Sequence, residues 1–286
     1  MNYDIAAFIE AALAEDIVDF TGKIPTGDHT SLACIVEPKQ GRAKLLCKAE
    51  GILAGVELAE IICQKVDEEL EFKKLLNDGD EIKKGDLAFT VSGEVKSILR
   101  AERLVLNFMQ RMSGIATHTA KFVAEVKDTK AKILDTRKTT PTLRYFEKWA
   151  VRIGGGHNHR FGLYDMVMIN DNHIDFCGGI EKAILAVKNY QAAKQLTLPV
   201  IIETRNLADV QKVLSVGHVT RIMFDNFSPE LMADGVKLVN GAYATEASGG
   251  ITLSSVKLYA QTGVDYISVG ALTHSSSSLD LSLKAF

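Results

Sequence analysis

Two short stretches concentrate the side chains most able to bind anions: Asp135-Thr136-Arg137-Lys138-Thr139-Thr140 and Gly154-Gly155-Gly156-His157-Asn158-His159-Arg160. The chain as a whole is slightly acidic, with 33 Lys+Arg against 36 Asp+Glu. Its cationic clusters therefore point to a local anion site and exclude a broadly basic nucleic-acid surface. Arginine offers a planar fork that grips carboxylate or phosphate through paired hydrogen bonds, and lysine adds a mobile point charge. A small substrate with several negative charges is expected.

Two glycine-bearing turns add a second kind of anion site. Glu246-Ala247-Ser248-Gly249-Gly250-Ile251-Thr252 and Ser268-Val269-Gly270-Ala271-Leu272-Thr273-His274 each lead from an apolar segment into a helical one. Glycine lets backbone amides approach a phosphate, and the following helix start adds partial positive charge. Glu203 and Asp225 are candidate Mg²⁺ ligands, since this hard cation takes one or two carboxylates beside substrate phosphates and waters. Pairing of either with a nearby Arg is the competing reading. His157, His159 and His173 have the chemistry of zinc ligands, but His-x-His beside Arg160 fits anion binding better. Glu102-Arg103 alone reads as a solvated helix pair.

These groups need a frame. Short apolar strands at 132–135, 166–169, 199–203, 221–225, 242–246 and 266–269 alternate with helical segments, the pattern of parallel strands joined by helical crossovers. This predicts an α/β fold: an incomplete (β/α) barrel of about six strands, whose C-terminal strand ends carry Asp135, Asn170, Glu203, Asp225, Glu246 and Gly270. Polar residues at that face are costly to bury unless they meet a ligand, which argues for an enzyme. Ahead of the barrel, helical spacing at 4–16 with Asp4 as N-cap, a loop at 17–31, a helix near 55–66 and turns at 77–80 and 84–86 predict an α+β sandwich. It resembles the sandwich of lipoyl and biotinyl carriers but lacks their exposed turn lysine. A long helix is expected at 101–127, broken at Ser113-Gly114. The expected division is 1–111 for the N-terminal domain and 112–274 for the barrel, with the tail 275–286 packing back on the former.

A chain of 286 residues with 47% apolar content suits such a two-part globular protein. No apolar run approaches the ~20 residues of a membrane span, and no signal-peptide pattern opens the chain. Cys34, Cys47, Cys63 and Cys177 lack CxxC spacing and read as reduced thiols in a cytoplasmic protein.

At its motifs the chain resembles the quinolinate phosphoribosyltransferase family over nearly its whole length. The resemblance is carried by Ala101-Glu102-Arg103, Arg111-Met112-Ser113-Gly114, Asp135-Thr136-Arg137-Lys138-Thr139-Thr140-Pro141, Asn158-His159-Arg160, Asp171-Asn172-His173, Asp225-Asn226-Phe227 and both glycine turns. A molybdenum-transport-associated paralogue family shares Asp-Thr-Arg-Lys-Thr-Thr-Pro but not the Asp-Asn-His and Asp-Asn-Phe elements. The resemblance implies formation of nicotinate mononucleotide, pyrophosphate and CO₂ from quinolinate and 5-phosphoribosyl-1-pyrophosphate with Mg²⁺. It implies a homodimer, or an oligomer built from dimers, whose sites are shared. Arg103 would then reach quinolinate from the neighbouring subunit. Thr136, Arg137, His159 and Arg160 would bind its carboxylates. Lys138 would lie near the reacting centre, and Glu203 and Asp225 would hold ribose hydroxyls and Mg²⁺, partly through water. Ser248, Gly249, Gly250, Val269, Gly270 and Ala271 would cradle the 5′-phosphate. One position departs from the family: Asn170 stands where a quinolinate-binding lysine is usual. That change keeps open a second reading, a catalytically weak paralogue that binds phosphoribosyl ligands in a regulatory or assembly role.

Overall fold

Apolar residues at helical and strand periods sort the chain into two compact units in a computed structural model that describes residues 3–286. The first unit runs to Thr117 and takes in Tyr145–Gly154 and Ser276–Phe286; the second comprises His118–Arg144 and Gly155–Ser275.

In the first unit, α1 (Ile5–Ile17) starts at Asp4, whose carboxylate accepts the Ala7 amide at 2.9 Å. A short helix, α2 (His29–Cys34), follows Asp28, which caps it through the Ser31 amide; the sequence had read this stretch up to residue 31 as loop. Strands β1 (Gln40–Cys47) and β2 (Gly51–Ile52) precede α3 (Val56–Val66) along the chain, and β3 (Glu71–Lys74), β4 (Glu81–Ile82) and β5 (Leu87–Glu94) follow it. The C-terminal strand Leu281–Ala285 pairs antiparallel with β1, giving a four-stranded sheet, while β2 and β4 form a separate pair.

Helix α4 (Val95–Val126) is unbroken over 32 residues, contrary to the expected interruption at Ser113-Gly114. Tertiary contacts explain both residues. The Ser113 hydroxyl accepts from the Ala54 amide at 2.9 Å and donates to the Ala54 carbonyl at 3.1 Å. Gly114 leaves room for the Ser277 carbonyl, which a Cβ would strike. The expected boundary at 111/112 thus falls inside a continuous helix. Tyr145–Gly154, most of α5 (Arg144–Ile153), groups with the first unit because Phe146 packs on Phe8 and Phe108, with ring centroids 4.9 and 4.8 Å apart. The buried Glu147 also takes Arg111 at 2.8 Å.

The second unit is a six-stranded parallel sheet with helical crossovers. Its elements are β6 (Lys132–Leu134), β7 (Val167–Ile169), α6 (Asp171–Cys177), α7 (Ile180–Lys194), β8 (Val200–Thr204), α8 (Leu207–Val216), β9 (Arg221–Asp225), α9 (Pro229–Val239), β10 (Ala244–Ser248), α10 (Val256–Gln261), β11 (Tyr266–Ser268) and α11 (Ala271–His274). The order is β6-β11-β10-β9-β8-β7, so β6 and β7 stand at its two edges. The near-continuous burial of β8 and β9 is what parallel strands covered on both faces require.

One correction matters for the site. The fifth strand was expected at 242–246 but runs Ala244–Ser248, pairing Ser248 with Asp225 and Glu246 with Met223. Asn240 and Gly241, both at positive φ, turn the chain out of α9 and delay entry into the strand. Ser248, not Glu246, is therefore the strand end.

Candidate active site

The cationic segments are assembled by one buried carboxylate. Asp135, just past β6, is fully buried. Its amide donates to the His157 carbonyl at 3.1 Å, and the His157 amide donates to the Ile133 carbonyl at 2.8 Å. Its carboxylate accepts the Asn158 side-chain amide at 2.5 Å and the His159 backbone amide at 2.8 Å. The segment after Gly156 is thereby laid alongside β6, which brings the two motifs to one place. On the other motif, Thr136 Oγ1 accepts the Lys138 amide at 3.0 Å, and the Thr273 hydroxyl donates to the Lys138 carbonyl at 2.8 Å. The lysine's backbone is thus held from both sides.

A cavity of about 640 Å³ opens at the C-terminal strand ends. Thr136, Arg137, Lys138, His159, Arg160, Glu203, Asp225, Ser248, Gly249, Gly250, Val269, Gly270 and Ala271 all line it. Two residues chosen from the sequence do not. Arg103 is an exposed residue of α4 in the first unit. Asn170 is the N-cap of α6: its Oδ1 accepts the His173 amide at 3.1 Å, and its own amide donates to His173 Nδ1 at 3.2 Å. Met168, Met223, Asn226 and His274, which had no site role assigned from sequence, also line the cavity. Asn226 could have been found from its place after Asp225: it takes a left-handed φ of 57°, and its side chain donates to Asp225 Oδ2 at 2.8 Å. Gly249 is required beside it. Its φ is +96°, and a Cβ there would lie 2.8 Å from the Asn226 backbone nitrogen.

Electrostatics divide the cavity into a cationic and an anionic side. Burial, then the neighbouring charge of Arg137, pushes the Arg160 guanidinium below its ordinary range, although Asp165 and Glu203 oppose this. Two cations lining one cavity favour an incoming dianion. Opposite them, burial raises the Glu203 carboxyl, aided by Asp225, Asp171 and Glu246, while the Asp171 amide, donating at 3.0 Å, pulls the other way. Burial also raises Asp225; Asn226, Lys138 and Arg205 offset it in part. A bound cation would relieve this crowding. No group of three or more His, Cys, Asp or Glu suited to a metal occurs among the described residues. The two crowded carboxylates would suit a hard cation that completes its shell with substrate oxygens and water.

Beneath the cavity lies Glu246, fully buried. Burial pushes its carboxyl up, but His159, Arg221 and Ser268 outweigh that and hold it below the usual range. Arg221 Nη1 donates to it at 2.7 Å, and His159 Nε2 lies 3.3 Å from its other oxygen.

A parallel β/α sheet whose strand ends gather two guanidiniums, crowded carboxylates and two glycine turns defines an anion-handling α/β enzyme. Comparison with known proteins makes this specific. Residues 28–113 match the N-terminal domain, and residues 115–284 the C-terminal domain, of quinolinate phosphoribosyl transferase. The chain belongs to this family. It is 47% identical over 297 aligned positions to quinolinate phosphoribosyltransferase [decarboxylating] 1b of Nicotiana tabacum, covering 99% of this chain and 83% of the relative. It is 44% identical to a probable nicotinate-nucleotide pyrophosphorylase [carboxylating] of Bacillus subtilis, covering 92% and 90%. Among solved structures it resembles nicotinate-nucleotide pyrophosphorylase from Ehrlichia chaffeensis, with TM-score 0.90, 34% identity and 100% coverage of both chains. It also resembles NadC from Streptococcus pyogenes, with TM-score 0.90, 37% identity and coverage of 99% and 96%.

The raised carboxyls give a stability prediction. A carboxyl raised in the fold adds no penalty below the ordinary carboxylate range, and the full penalty once pH exceeds its folded value. Glu203→Gln keeps an acceptor for the Asp171 amide and removes the charge. At neutral pH it should stabilise the protein by up to about 1 kcal/mol after solvent screening, or roughly 1–3 °C in Tm. A fall in Tm by differential scanning calorimetry would show that Glu203 is held by attraction instead.

Proposed function

We propose that the protein is a quinolinate phosphoribosyltransferase acting in NAD biosynthesis. It would convert quinolinate and 5-phosphoribosyl-1-pyrophosphate to nicotinate mononucleotide, pyrophosphate and CO₂. One observation carries the reading: the Arg137–Arg160 pair, Lys138, the Glu203 and Asp225 carboxylates and both glycine turns face a single cavity large enough for two small substrates.

The roles follow from the charges. Arg137 and Arg160 grip the quinolinate carboxylates and set the pyridine nitrogen toward the anomeric carbon. Ser248, Gly249, Gly250, Val269, Gly270 and Ala271 receive the 5′-phosphate on backbone amides at the entry to α11 and the turn after β10. The nitrogen lone pair forms the bond to the anomeric carbon as the bond to pyrophosphate breaks. Lys138 stabilises the departing anion, and Glu203 and Asp225 hold the ribose hydroxyls and tolerate the positive ribosyl centre. The positive ring nitrogen then stabilises the electron pair left on the adjacent ring carbon when its carboxylate departs as CO₂, and that carbon takes up a proton from water. No enzyme nucleophile is needed. Mg²⁺, when bound beside Glu203 and Asp225, supplies charge neutralisation for pyrophosphate.

The same proposal includes a homodimer in which Arg103 reaches the neighbouring subunit's site; its exposure on α4 supports this. It also includes a cytoplasmic setting. The cysteines are free, with burial first among the causes pushing the Cys47 thiol up to about 11 and the Cys63 thiol up to about 12. No described helix is long and apolar enough to cross a membrane. The weak-paralogue reading rested on Asn170, and its capping contacts give that residue a structural task.

The direct test is release of pyrophosphate and CO₂ from the two substrates with Mg²⁺. Both are expected in equal amounts with nicotinate mononucleotide; phosphoribosyl pyrophosphate binding without product would return the weak-paralogue reading. Asn170→Lys should separate the residue's two possible tasks. It should raise kcat/KM for quinolinate about tenfold if position 170 reaches a substrate carboxylate. It should also lower stability by about 1 kcal/mol through loss of the cap. Unchanged or worse quinolinate kinetics would leave Asn170 as a cap alone.

A further inference from the structure

Arg160 must keep one orientation in the cavity, yet the contacts of its guanidinium are weak: the Met166 carbonyl at 3.3 Å and Met168 Sδ at 3.6 Å. Its backbone is held more firmly. The Arg160 amide donates to His159 Nδ1 at 2.7 Å. A ring nitrogen that accepts a hydrogen bond carries no hydrogen, so the hydrogen of a neutral His159 sits on Nε2. That nitrogen lies 3.3 Å from Glu246 Oε1. Glu246 is itself fixed: Ser268 donates to Oε1 through a short hydrogen bond, and Arg221 Nη1 donates to Oε2 at 2.7 Å. The Arg221 guanidinium lies 3.9 Å over the Tyr266 ring. The chain of contacts thus runs from Arg221 on the sheet, through Glu246 one step below the strand end, to His159 and the Arg160 backbone.

We propose that Glu246 is a positioning residue for carboxylate recognition: it holds His159 as the Nε2–H tautomer, so that Nδ1 anchors the Arg160 amide and sets the angle of Arg160 in the cavity. The proposal rests on the reading of the cavity as a quinolinate site. A carboxylate oriented behind an imidazole is a general way to fix its tautomer and ring plane. A buried ion pair of Glu246 with Arg221 that served stability alone would have no need of this imidazole geometry.

Two measurements test it. Long-range ¹H–¹⁵N correlation spectra of the ligand-free wild-type protein at neutral pH, with the His159 signal assigned by its loss in His159→Gln, should show the Nε2–H tautomer. An Nδ1–H tautomer or an imidazolium overturns the proposal, whatever the enzyme's activity. Steady-state kinetics of Glu246→Gln, which preserves shape but removes the charge, should show KM for quinolinate raised about tenfold and KM for phosphoribosyl pyrophosphate within about twofold of wild type. Equal rises in both KM values, or a fall in kcat alone, overturn it. Should Glu246→Gln fail to fold, Arg221→Gln, which releases Glu246 Oε2, should raise the KM for quinolinate selectively in the same way, and an unchanged KM for quinolinate overturns the proposal. Absence of quinolinate turnover in the wild type would instead strike the proposed function and leave the tautomer result standing.

Discussion

Arg137 and Arg160 line one cavity, where burial and then the neighbouring Arg137 charge disfavour the charged form of Arg160, and the surrounding structure is arranged to keep them there. Such a pair would separate on a flexible loop. Here the backbone on both sides is tied to buried carboxylates. Asp135 fastens the Asn158-His159 segment to the end of β6, and Glu246 faces His159 from below. Each of these carboxylates is itself satisfied by several donors, the condition under which a buried charge is tolerable.

The anionic half repeats the same logic with opposite sign. Glu203 and Asp225 are crowded into a partly buried place where both carboxyls are pushed up. Their backbones are fixed by neighbouring parallel strands, and Asn226 and the Asp171 amide steady the side chains. A site built this way stores unfavourable electrostatics in the fold and recovers them on meeting ligands of complementary charge. Gly249 belongs to this arrangement: at φ +96° it lets the turn after β10 run against Asn226 without a side chain between them.

Much of this was legible in the sequence, because the signals were local. Alternation of apolar strands and helices located all six parallel strands, and the cationic and glycine motifs located most of the cavity lining. What was not legible depended on distant contacts. Ser113-Gly114 has the propensities of a helix break, but Ala54 and Ser277 make both residues part of one helix. The fifth strand was placed two residues early. A shift of two preserves the face of every side chain, so alternation could not detect it, and Glu246 looked like a rim residue when it lies beneath the site. The capping task of Asn170 depends on its contact with His173, which residue type alone does not announce.

Under the proposed function, the repulsion that Arg137 exerts on Arg160 is maintained by the fold and relieved by a bound dicarboxylate. Thermal unfolding of wild type and Arg137→Ala, each with and without saturating quinolinate, tests it most directly. Ligand-free Arg137→Ala should be at least as stable as wild type, because the repulsion is gone, and its rise in Tm with quinolinate should be largely lost. A variant that is less stable without ligand yet gains as much Tm from quinolinate as wild type would contradict the account.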